Sequence, residues 1–135
     1  MTAYKRPIFN TLKTCIIKKR KFIQILAGLR QTGKATLARQ LMADIDIPGY
    51  YATADEPALK GSVWIEQQRE TARINAGKNP GLLILDEIHK IGAWSETVKR
   101  LWDQDSADER DIRIVLLGSA PLLIWSDSFQ IQNLL

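Results

Sequence analysis

Cysteine, histidine and early acidic residues are scarce in this chain. Cys15 is the only cysteine, so no internal disulfide can form, and a reducing compartment, the cytoplasm, is the expected location. His89 is the only histidine, and with the cysteine remote in sequence no Cys/His metal-ligand set gathers around it. A hydrogen-bonding role at a loop or helix start fits it better. No apolar run reaches the roughly 20 residues that a membrane-spanning helix needs. The longest, IVLLGSAPLLIW at 114–125, falls well short, and KKRK at 18–21 breaks any signal-peptide pattern. There is no internal repeat and no low-complexity tract.

Against these absences, 45% hydrophobic and 25% charged residues among 135 describe an ordinary soluble domain. At roughly 150 residues per domain, the length suits one domain or slightly less. The net charge of +4 conceals an asymmetry. Residues 1–43 hold ten Lys or Arg and no carboxylate before Asp44, and the remaining 92 residues carry a net −6. A solvated basic leader is the plain explanation. Nucleic acid contact is the sharper one, but the stretch lacks interleaved aromatics and a reading helix.

Strands and helices alternate along the chain. Residues 1–21 read as a leader with a short helix around 8–17. FIQIL at 22–26 predicts a strand, and Ala27–Gly33 a loop. Leu37, Leu41 and Ile45 then recur as one face of a helix. Pro48-Gly49 breaks it, and Tyr50–Thr53 predict a second strand. A helix fits 63–76, ended by Gly77. LLIL at 82–85 and IRIVLL at 112–117 have the continuous hydrophobicity of strands covered on both faces. Between them a helix at 94–104 puts Trp94, Val98, Leu101 and Trp102 on one core-facing side, and DQDSADERD at 103–111 reads as a polar surface loop or fraying end. This order predicts an α/β fold with a mostly parallel sheet between helical layers.

Two motifs carry chemistry. Gly28-Leu29-Arg30-Gln31-Thr32-Gly33-Lys34 fits G-x-x-x-x-G-K between a predicted strand and a predicted helix, the context that a phosphate loop requires. A glycine-containing turn aims consecutive backbone N–H groups inward, and the helix N-terminus adds donors and a partial positive field. Lys34 reaches the terminal phosphates as a point charge. The motif breaks at Ala35, where a Ser or Thr hydroxyl should hold Mg²⁺; Thr36 is about 100° further round the helix and does not simply replace it. The expected nucleotide contacts therefore run from Gly28 through Thr36.

The second motif is Asp86-Glu87, two carboxylates ending the most hydrophobic strand. Ligands of open α/β sheets bind beyond the carboxyl ends of strands. Asp86 suits a magnesium ion, and Glu87 the activation of an attacking water. Ser119, after IVLLG, is a weaker third candidate at the end of a neighbouring strand; Gly-Ser is also a common turn pair.

These segments together resemble AAA+ P-loop ATPases. The resemblance narrows to bacterial and archaeal ATP-binding proteins in which an AAA domain precedes a C-terminal domain of unknown function. GLRQTGKATLARQL at 28–41 is similar to that family's phosphate loop, LLILDEIHKIGAWSETVKRLWD at 82–103 to its Walker B segment and following helix, and VLLGSAPLLI at 115–124 to its sensor 1 strand. YKR at 4–6 and YATADEP at 51–57 are less specific likenesses. The resemblance implies a three-layer P-loop NTPase sandwich, ATP and Mg²⁺ as cofactors, and Lys34, Glu87 and Ser119 in catalytic positions. Choice of ATP over GTP rests on it alone, as no base-reading motif is visible.

The chain departs from the family pattern at Ala35, where the family has Thr. It also ends in SDSFQIQNLL with nothing resembling an arginine finger or sensor 2. The expectation is thus a truncated core: a leader at 1–21, a partial nucleotide-binding core at 22–125 and an atypical tail at 126–135, lacking the final core strand and the helical lid. With the family's strand order of 5-1-4-3-2, losing the fifth strand would leave strand 22–26 at an open edge, inviting self-association or the docking of a missing C-terminal domain. The functional expectation is an ATP-binding module with weak or absent hydrolysis. The alternatives are a catalytically silent nucleotide-dependent interaction or DNA-binding module, and a truncated gene remnant.

Overall fold

Runs of β-branched and leucine residues bounded by glycine form the strands, and amphipathic stretches between them form the helices. The computed structural model describes residues 7–18, 20–28, 34–55, 61–118 and 129–134. In chain order these are α1 (Pro7–Ile17), β1 (Ile23–Gly28), α2 (Lys34–Asp44), β2 (Gly49–Thr53), α3 (Ser62–Ala76), β3 (Gly81–Asp86), a 3₁₀ turn at Ile88–Lys90, α4 (Trp94–Ala107), β4 (Ile112–Gly118) and β5 (Phe129–Leu134). The strands form one sheet in the order β2-β3-β4-β1-β5, and each neighbouring pair is parallel.

Because side chains alternate across a strand, each continuous apolar run feeds two cores at once. Ile23, Ile25, Leu83, Leu85, Ile112, Ile114 and Leu116 pack on one face with Ile65, Ala72 and Ala76 of α3 and Val98, Leu101 and Trp102 of α4. Leu26, Leu82, Ile84, Val115 and Leu117 pack on the other with Phe9, Leu12 and Ile16 of α1 and Leu37, Ala38 and Leu41 of α2. The result is the expected three-layer sandwich.

The expected sheet edge is corrected. The final core strand is present: Phe129–Leu134, inside the segment read as an atypical tail, pairs in parallel with β1 from Ile23↔Phe129 to Gly28↔Leu134. β1 therefore lies between β4 and β5, and the open edge predicted for it does not exist. The segment escaped recognition because FQIQ alternates apolar with polar residues, unlike the unbroken runs of β3 and β4.

The basic leader is also more than a solvated strip. The predicted helix is α1, and its Phe9, Leu12 and Ile16 are buried. Beyond it, Arg20 lies over the Trp102 ring at 3.5 Å and donates to the carbonyls of Trp102 (2.7 Å) and Ile112 (2.9 Å). Burial lowers its guanidinium pKa, which the nearby Asp105, Asp111 and Asp103 oppose. Arg113 donates to the Ile16 and Ile17 carbonyls at the end of α1, satisfying groups that a helix C-terminus leaves unpaired.

The polar string at 103–111 differs from its expectation too. α4 continues to Ala107, and Asp105 within it is fully buried. Its carboxylate receives Arg69 at 3.1 Å and Arg73 Nε at 2.8 Å, both from α3, so the pair of helices is joined by buried charge as well as apolar contact.

Candidate functional site

The register of the parallel strands collects the candidate residues at one end of the sheet. Leu85 is level with Leu116, and Leu116 with Ile25. Asp86 therefore ends β3 close to the level at which β1 runs out at Gly28. α2 follows β1 and packs back against the sheet through Leu37, Ala38 and Leu41, which puts its N-terminus at the carboxyl ends of the strands. Lys34 and Ala35 form its first turn, with Thr36 exposed beside them. Leu29, Arg30, Gln31, Thr32, Gly33 and Ser119 lie outside the described residues.

Asp86 is held from two sides. The Glu87 backbone N–H donates to its Oδ1 at 2.8 Å, and the Tyr51 hydroxyl donates to its Oδ2. Its carbonyl accepts the Ala54 N–H at 3.0 Å, which ties β2's exit to β3's exit. Asp86 as a whole is only 8% exposed. Burial, and then the hydrogen bond to Asp86, push the Tyr51 phenol above its ordinary value, so at neutral pH it acts as a donor.

Glu87 takes a left-handed backbone conformation, φ 55° and ψ 36°, which a residue with a Cβ adopts at some cost and which is concentrated at functional sites. The chain turns there into the 3₁₀ turn, anchored by buried Ile88 and Ile91. This turn brings His89 Nε2 to 3.3 Å from Glu87 Oε2. Its Nδ1 is buried with no hydrogen-bond partner among the described residues. Lys90, next in the turn, pairs with Asp55 just beyond β2.

Tyr51 was read from the sequence only as a strand residue. Its contact with Asp86 depends on the pairing of β2 with β3, which nothing local announces. A cavity of about 400 Å³ lined by Gly77, Pro80, Arg110 and Asp111 lies at the opposite end of β3 and β4, away from these groups.

Comparison with known proteins agrees with the fold. The family model described as an AAA domain matches residues 20–131. The Thermotoga maritima RuvB Holliday junction branch migration motor superposes with a TM-score of 0.65 at 18% identity, covering 96% of this chain and 44% of that one. C. elegans PCH-2 superposes with a TM-score of 0.55 at 17% identity, covering 96% of this chain and 43% of that one. At such identities the likeness is one of fold, and the chain spans less than half the length of either neighbour. No curated protein matches the sequence.

Proposed function

Since the chain belongs to the AAA domain family of P-loop ATPases, we propose that it is an ATP-binding module whose hydrolytic step is weak or absent. One observation carries the reading: α2, headed by Lys34, begins at the same end of the sheet where β3 delivers the buried Asp86 and the adjoining Glu87 with its left-handed backbone. Backbone N–H groups from Gly28 to Thr36 would cradle the phosphates, with Lys34 adding a positive charge.

The residues fit a magnesium–nucleotide complex. Mg²⁺ keeps several waters and is typically held by one or two carboxylates plus substrate phosphates rather than by an all-protein cage. Asp86 supplies such a carboxylate, and no cluster of three or more metal-ligating side chains occurs among the described residues. The ion, when bound with ATP, neutralises charge on the phosphate oxygens. In this arrangement Glu87 would orient water, and Ser119 would contact the phosphate or that water. Ala35 supplies no oxygen, and loss of one charge-stabilising group from an active site costs about 3 kcal/mol, or roughly a hundredfold in rate.

The test is Mg²⁺-dependent ATP binding and turnover on the purified protein. Lys34→Ala should abolish binding, whereas Glu87→Gln should retain binding and remove residual turnover. Ala35→Thr should raise turnover by about a hundredfold. A wild-type chain that binds no ATP would refute the reading. Turnover that is rapid in the wild type and lost in Lys34→Ala would refute its hydrolytic half. Nucleotide-dependent contact with a protein partner, including a second copy, is the use most compatible with binding without turnover, in a cytoplasmic setting.

A further inference from the structure

Position 35 has no hydroxyl, so the protein's share of the proposed metal site falls on Asp86, and its orientation becomes decisive. We propose that Tyr51 is the positioning residue for Asp86, its hydroxyl fixing the carboxylate that must serve the magnesium–nucleotide complex without help from position 35. The inference rests on the ATP-binding reading above.

Period-two alternation puts Asp86 on the same side of β3 as Leu82 and Ile84, the side facing α1 and α2. Tyr51 packs against that same core and pairs with Ile84, while Thr53 pairs with Asp86. The tyrosine thus starts two residues below the carboxylate, about 7 Å along the strand. A phenol is long enough to span that rise, and its hydroxyl reaches Oδ2. A shorter hydroxyl side chain on the same strand position would not.

With Oδ1 taken by the Glu87 N–H, each carboxylate oxygen has one donor and keeps a further acceptor position for a metal or a metal-bound water. The link extends to α2. Arg39 of that helix lies over the Tyr51 ring at 5.9 Å.

Tyr51→Phe removes one oxygen and leaves the ring in place. The experiment titrates a non-hydrolysable ATP analogue into wild type, Tyr51→Phe, Ala35→Thr and the double variant, each with Mg²⁺ and with EDTA. The expected result is that Tyr51→Phe lowers affinity about tenfold in Mg²⁺, the scale of one hydrogen bond to a charged group, and leaves affinity in EDTA unchanged. In the Ala35→Thr background the same change should cost less than about threefold, since the new hydroxyl shares the task. A wild-type-like magnesium response in Tyr51→Phe overturns the proposal while leaving ATP binding standing. An equal loss with and without magnesium also overturns it, because it marks a merely structural role. Absence of binding by the wild type removes both readings.

Discussion

Asp105 and Asp86 are both buried acidic residues, and they differ in the partners that surround them. Asp105 is enclosed by two guanidinium groups, Arg69 and Arg73, and the latter also reaches Asp108 at 3.1 Å. Burial, the largest single influence, works against the Arg73 charge, but the hydrogen bonds to Asp105 and Asp108 and the nearby charges of Asp105 and Glu70 together raise its pKa. Removing the carboxylate leaves cations packed between helices. Asp105→Ala should destabilise the fold by about 3–5 kcal/mol in urea denaturation, the range for breaking a buried pair. Asp86, by contrast, is met by a phenol and a backbone amide, and no Lys or Arg ion pair to it occurs among the described residues. Gly28–Lys34 and Asp86-Glu87 stand out in sequence because the chemistry proposed for them requires particular residue types at fixed spacing. Tyr51 and Asp105 do not, because their partners lie on other strands or helices and only the tertiary fold brings them near.

At the scale of elements, β1 to β4 and α2 to α4 were legible from two signals, unbroken apolar runs for strands covered on both sides and four-residue periodicity for helices. α1 was foreseen as a helix, but its burial was not, since the basic residues around it suggest solvent. Its apolar positions Phe9, Leu12 and Ile16 nonetheless fill the layer that α2 leaves incomplete, and Arg113 holds its C-terminus. Leu12 is fully buried. Leu12→Ala should therefore cost about 2–5 kcal/mol, measurable as a lowered denaturant midpoint with unchanged slope. A change near zero would mean that α1 is only loosely applied to the sheet. β5 was missed because an alternating strand gives a shorter and weaker signal than a continuous one.

For the whole molecule, β5 decides whether β1 is interior or edge. Deleting residues 129–134 should recreate an unpaired β1 edge, and sedimentation velocity should then show concentration-dependent self-association stronger than in the parent chain. Equal behaviour of the two proteins would show that β5 contributes little to closing the sheet. The same pairing has a consequence for how the fold is reached. β1 bonds to β4 and β5, which follow it by most of the chain, while β2 and β3 form a more local pair. Contacts of such separation form slowly, because a long loop must close before they contribute. During synthesis from the N-terminus, the strand that leads into the proposed phosphate loop is among the first made and must wait for its last neighbour. β1 is thus the segment most in need of protection on the ribosome.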